Sequence, residues 1–224
     1  MFISLGRFGK KGTLMNPLLT QIQKNFGFKA MIFCLLLALT GCASVKESDF
    51  LPDYSHLHHG RHLEKVWVSP QLRRGEGMVI VVRKPTAEKT EDNENLPKEA
   101  AQSYFFHALT ERLGNIPGIH VSTLNEPAPA AGKNYVLETG ITYLDPGSRL
   151  LRIVMSGMMG HSRVQAEGKL IDPSTQEILL KFADRRAGSG AGGLDVTGGS
   201  SRQLLEADLD GIAKALAQTL NELP

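Results

Sequence analysis

The stretch SRVQAEGKLIDPSTQEILLKFAD, residues 162–184, carries the clearest strand signal in the chain. Val164, Ala166, Gly168 and Leu170 alternate with Arg163, Gln165, Glu167 and Lys169, and a period of two predicts a strand with one apolar and one wet face. Asp172-Pro173-Ser174-Thr175-Gln176 is turn chemistry, after which 177–184 returns as the hairpin partner. An isolated hairpin is marginal in water, so further strands and a cover are required.

Both are present on either side. The run NYVLETGITYL, residues 134–144, reads as a long central strand ended by Asp145-Pro146-Gly147, and shorter β-rich runs occupy 65–69, 78–83 and 119–122. A charged loop at 85–95 leads to Pro97, which a helix tolerates in its first turn. From there to about Leu113, Ala101, Phe105, Ala108, Leu109 and Arg112 recur at helical spacing, with Gly114 placed as the C-cap. A second amphipathic helix spans roughly 200–221, with Leu205, Leu209, Ile212, Leu216, Leu220 and Leu223 in steps of three and four, acids early and Lys214 late. The sum is an α+β fold: a mixed, mainly antiparallel sheet of about five or six strands packed by two helices.

The other end of the chain speaks to location. Residues 1–41 have the parts of a secretory leader: Lys24 and Lys29, an apolar run at 30–39, then Leu39-Thr40-Gly41 before Cys42. Met15 reads as the start, because it places both lysines ahead of the apolar run. That run is about ten residues long, whereas a spanning helix needs roughly twenty. Leu39-Thr40-Gly41-Cys42 resembles the bacterial lipobox, in which the cysteine is acylated and the leader cut away. The resemblance implies stable attachment through covalent lipid on Cys42, the sole cofactor-like group expected. Ala43, where inner-membrane retention usually calls for aspartate, implies a periplasm-facing position on the outer membrane. Residues 42–62, polar and irregular, read as a lipidated tether that lifts a single globular domain, 63–224, off the lipid surface.

Removing the leader changes the composition. Five of the 25 basic residues and none of the 23 acids lie in 1–41, so the remaining chain carries about −3. The basic footprint of a nucleic-acid binder is missing, and no nucleic-acid partner is expected. Of the two cysteines, Cys34 leaves with the leader and Cys42 is lipidated, so no thiol remains for a disulfide, a zinc site or catalysis.

Ser48-Asp49-Phe50-Leu51-Pro52-Asp53-Tyr54-Ser55-His56-Leu57 resembles the S-x-F-L-x-D-Y-S-x-L start of an uncharacterised proteobacterial lipoprotein family. Residues 147–181, with Gly-Ser-Arg-Leu-Leu-Arg, Gly-Met-Met-Gly and Leu-Ile-Asp-Pro-Ser-Thr-Gln, are similar to a second set of lipoproteins of unknown function, whose turn reads Asp-x-x-T-G; Gln176 replaces that glycine. These resemblances imply a small α/β lipoprotein, distantly like the curli-secretion and penicillin-binding-protein-activator lipoproteins, and define no catalytic residue.

Four constellations bear on chemistry. His56, His58, His59 and His62 place four imidazoles within seven residues, enough to hold zinc, copper or nickel. Against a site stand Arg61, the lack of interleaved acids or thiols, and a tether unable to preorganise ligands. The glycine-rich run 188–199 precedes a helix as a phosphate loop does, but it has no P-loop lysine, and Asp195 would oppose phosphate. Ser189 lacks a nucleophile elbow, and His107 and His120 stand alone, so no enzymatic activity is expected. The continuous apolar run 150–160 reads either as a central strand buried on both faces or as a surface that recruits a partner through Met155, Met158 and Met159. The resulting expectation is a non-enzymatic envelope assembly, accessory or binding factor with a protein partner. A metal-binding lipoprotein and an envelope hydrolase are the alternatives.

Overall fold

A computed structural model describes residues 44–75, 77–88, 90, 95–123, 132–148, 161–188 and 200–224. In chain order the elements are β1 (Lys65–Val68), β2 (Met78–Val82), α1 (Lys98–Gly114), β3 (Ile119–Thr123), β4 (Asn134–Asp145), β5 (Arg163–Ile171), β6 (Ile178–Ala187) and α2 (Ser201–Asn221). The strands form one sheet in the order β1-β6-β5-β4-β2-β3. Pairings from β1 to β4 are antiparallel, whereas β2 runs parallel to both β4 and β3. The fold is therefore α+β, with a mixed, mainly antiparallel sheet and two helices.

The opening hairpin forms as its alternation predicts. Gly168 stands opposite Phe182, Leu170 opposite Leu180, and the turn closes with Asp172 N–H donating to Glu177 O at 2.9 Å. Asp172 accepts from the Ser174 backbone N–H, also at 2.9 Å, the local bond that makes Asp a turn residue. Gln176 completes the turn at φ 61°, in the left-handed region that glycine occupies without strain.

One face of the sheet is apolar. Val82, Leu137, Leu170 and Leu180 lie across it in register, and together with Ile80, Ile141 and Phe182 they meet Phe105, Leu109 and Leu113 of α1 and Leu205, Leu209, Ile212 and Leu216 of α2 in one continuous core. Arg112, expected on the packing face of α1, instead clamps the two helices from the side, its Nε and Nη2 each 2.9 Å from the carboxylate of Asp210. Gly114 is still helical; Asn115 is the C-cap, its N–H donating to Glu111 O, and the left-handed glycine comes later, at Gly118 (φ 81°). Helix α2 starts with a capping box between Ser200 and Gln203, and its first turn holds no acid and its last no base, contrary to the charge bias expected.

The opposite face departs furthest from expectation. Gln165 and Glu167, assigned to a wet face, are 1% and 0% exposed. Arg163 is exposed and Lys169 half-buried, so only the ends of β5 match the period-two reading. The cover is the segment read as a tether: residues 44–60 lie across the sheet as a strap. Residues from Ala43 to Pro224 form a single compact unit, which moves the expected domain boundary at 63 back by about twenty residues.

Candidate functional site

The strap and the polar cluster beneath it form the most elaborate side-chain arrangement in the described residues. Its start is pinned at once: Ser44 O accepts from Arg185 Nη1 at 3.3 Å, Val45 N–H donates to Glu64 Oε1 at 2.8 Å, and Lys46 exchanges two bonds with the Gln165 amide, at 3.0 and 2.6 Å. A side-chain amide facing a backbone amide in this way mimics a strand pairing, so Gln165 holds the strap as a neighbouring strand would.

Next comes a hub at Tyr54. Its hydroxyl donates to Glu167 Oε2 and accepts from the N–H groups of Ser48 and Leu51, at 3.2 and 3.3 Å. Glu167 Oε1 accepts from Thr142 Oγ1 at 3.0 Å and Gln165 Nε2 at 2.8 Å. A carboxyl taken fully out of water is tolerable only with its oxygens satisfied, and three donors converge on this one. Thr142 reaches it because β4 bulges between Ile141 and Tyr143, an extra residue that re-aims a side chain.

Two anchors flank the hub. Phe50 lies directly over Gly140, where an added Cβ would come within 2.6 Å of its ring, so the close approach requires glycine there. Lys181, buried, places Nζ 3.1 Å from both the carbonyl and Oδ2 of Asp53 and 5.4 Å from the centre of the Trp67 ring. Hydrogen bonds from Ser55, reinforced by Lys181, hold the Asp53 carboxyl well below the usual carboxylate range. The strap ends where His58 exchanges backbone bonds with Val66, at 3.2 and 2.9 Å.

These contacts give the S-x-F-L-x-D-Y-S-x-L stretch a physical reading. Ser48, Phe50, Leu51, Asp53, Tyr54 and Ser55 are the residues that hold the strap down or shape its turn. Sequence reasoning took the stretch as a family mark and missed its packing role, although an aromatic, a leucine and a tyrosine within five residues do not suit a solvated tether.

The other residues singled out from the sequence are dispersed. Leu39, Thr40, Gly41 and Cys42 lie outside the described residues, as do Met155, Met158 and Met159 and nearly all of the glycine-rich run. His56 and His59 are exposed. His58 Nδ1 is 3.4 Å from the carbonyl of His56, and His62 Nε2 meets Glu222 Oε1 at 2.9 Å, a bond that holds the Glu222 carboxyl below its usual range. Among the described residues no group of three or more His, Cys, Asp or Glu side chains is placed to hold a metal ion, so the four imidazoles are not gathered. Nor is any described helix long and apolar enough to cross a membrane.

A second polar cluster, not foreseen, lies on the helix side. Asp208 of α2 is 8% exposed and 3.4 Å from Ser162 Oγ; burial pushes its carboxyl up to about 7, against smaller opposing effects of Ser162 and Arg186. Arg186 meets Asp184 with Nε and Nη2, both at 3.0 Å. The signal for Asp208 was available: it stands four residues from both Leu204 and Ile212, an acid on the apolar stripe. Elsewhere, an open pocket of about 320 Å³ lies past the end of β2, lined by Lys84, Thr86, Glu88, Lys98, Glu99 and Gln102. Its charges are of both signs and define no ligand.

With the geometry in view, comparison with known proteins places the chain. Residues 61–192 match the domain of unknown function DUF4410. The chain belongs to that family. The strap precedes the matched part of the DUF4410 domain. Among solved structures, similarity is found to a PelC dodecamer from Paraburkholderia phytofirmans (22% identity, 63% of this chain and 95% of that one, TM-score 0.34). A DUF330 protein from Xanthomonas campestris (14%, 69% and 90%, TM-score 0.40) and the lipoprotein GNA1162 from Neisseria meningitidis (15%, 62% and 99%, TM-score 0.30) are also similar. No curated protein matches.

Proposed function

We propose that the protein is a lipid-anchored envelope lipoprotein whose DUF4410 domain binds another envelope component without catalysing a reaction, as an assembly or accessory factor. It faces the periplasm from the outer membrane, held by lipid on Cys42. Neither nucleic acid nor a cofactor beyond that lipid has a part in this reading.

The observation that carries it is the path of the chain after the Leu39-Thr40-Gly41-Cys42 sequence. Among the described residues the fold engages from Ser44 onward, two residues after the cysteine offered for acylation. A lipobox thiol must be reachable by modifying enzymes, while the domain must be complete without it. A strap that begins two residues later is compatible with both conditions.

The test has two stages. Cells grown with an alkyne fatty acid should incorporate it into the wild-type protein, and Cys42→Ser should abolish both incorporation and recovery with membranes. Crosslinking in intact cells should then join the wild-type domain to a discrete envelope protein. Absence of acylation removes the anchor from this reading, and adducts containing lipid alone remove the protein partner.

A further inference from the structure

Building on the lipid-anchor reading, we infer that the end of the sheet formed by the last residues of β4 and β6 and the first of β5 rests against the bilayer, making contact with lipid headgroups. The docked strap is the reason. A free chain of about twenty residues has a root-mean-square reach on the order of 25 Å and would let the domain tumble above the surface. Two residues, from Cys42 to Ser44, span at most about 7 Å.

Ser44 is fixed near one end of the sheet. Its carbonyl accepts from Arg185, which lies opposite Gln165, which in turn lies opposite Tyr143. Each of these is two residues from the end of its strand, at Ala187, Arg163 and Asp145, about 7 Å along the strand. The acylated residue therefore cannot stand much further from the domain than that end does. The opposite end, the turn at 172–176, is about 26 Å away along β5.

The charges at the two ends differ in the sense this orientation requires. Lys46 and Arg163 are exposed at the near end, whereas Arg185 is buried there, stacked 4.5 Å over the Tyr143 ring. Exposed cationic side chains at this height meet headgroup phosphates favourably on an anionic surface. The near end is not wholly basic: Glu47 is exposed there too, and Asp145 is engaged by the Gly147 N–H at 2.8 Å. At the far end Asp172 and Glu177 are acidic, with Lys133 4.0 Å from Asp172.

The test uses the full lipidated protein in vesicles of phosphatidylethanolamine and phosphatidylglycerol that carry a nitroxide on the headgroup. Arg163→Cys and Thr175→Cys, labelled with the same fluorophore, report the two ends, since an acylated Cys42 offers no thiol. The expected result is several-fold stronger quenching at 163 than at 175. A flexible Gly/Ser spacer of about twenty residues inserted after Ala43 should abolish that difference while vesicle binding persists; equal quenching at both ends, or no response to the spacer, overturns the inference. Unchanged thermal midpoints establish that the variants fold. If the anchor itself is wrong, the protein without an introduced cysteine takes up label at Cys42 and fails to sediment with vesicles, which removes the anchor and the orientation together.

Discussion

The two faces of the sheet are buried in different ways. Beneath α1 and α2 the strands offer Val82, Leu137, Leu170 and Leu180, and burial removes apolar surface from water, worth roughly 1.5–3 kcal/mol for each such side chain. Beneath the strap the same strands offer Gln165, Glu167, Lys181 and Arg185, and burial is tolerable only because the strap returns hydrogen bonds for those lost to water. The first face needs mainly shape, with the Asp208–Ser162 and Asp184–Arg186 pairs as its polar exceptions. The second needs particular atoms at particular places, and it responds to single-atom changes that the apolar part of the first would not register.

The largest expected effect belongs to the helix side. Phe182→Ala removes a fully buried ring that fills the space over Gly168, and should lower stability by about 3–5 kcal/mol, read as a fall in the denaturant midpoint. Also on that side, Asp208 sets a pH dependence. Its carboxyl titrates near 7 when folded and near 3.8 when unfolded, so in that interval the folded state holds the extra proton and stability falls as pH rises. Asp208→Asn should flatten that slope and raise the thermal midpoint above pH 7; an unchanged slope would show that burial does not govern this acid.

On the strap side, Tyr54→Phe deletes one oxygen and leaves the Glu167 carboxyl short of a donor, at about 1–3 kcal/mol. Limited proteolysis should show cuts within 44–60 before any change in the helices; a purely global loss would mean that the two faces are not separable. Smaller still is the turn between β5 and β6. Gln176→Gly relieves a left-handed residue and should raise stability by about 1 kcal/mol, seen as a higher thermal midpoint. Last, His62→Ala touches only an exposed pair with Glu222 and should change stability by less than about 0.5 kcal/mol.

The same contrast explains what could be read from the sequence. Apolar periodicity revealed β4, β5, β6 and both helices with nearly correct ends, because those elements bury their own side chains against a layer of matching chemistry. Gln165 and Glu167 were misread because alternation of polar and apolar residues specifies a two-faced strand and is silent on whether the polar face meets water or a hydrogen-bonded cover. The strap reads as a tether since it has no period at all; its contacts are long-range, as from Lys46 to Gln165, and only the apolar content of Phe50, Leu51 and Tyr54 hints at them. The histidine cluster is the reverse case, dense in sequence and dispersed in space, because turns closed by Leu57 N–H to Tyr54 O and Gly60 N–H to Leu63 O break the segment and send its side chains in different directions.

Hydrogen exchange at the strap tests most directly whether residues 44–60 belong to the domain. The amides of Val45, Lys46, Leu51 and His58 donate to Glu64, Gln165, Tyr54 and Val66. In the wild-type protein they should exchange far more slowly than in an unstructured peptide of the same sequence, and Tyr54→Phe should speed them while leaving α1 and α2 amides protected. Exchange at the unstructured-peptide rate in the wild-type protein would return the segment to a free tether and leave the buried Glu167 without its cover.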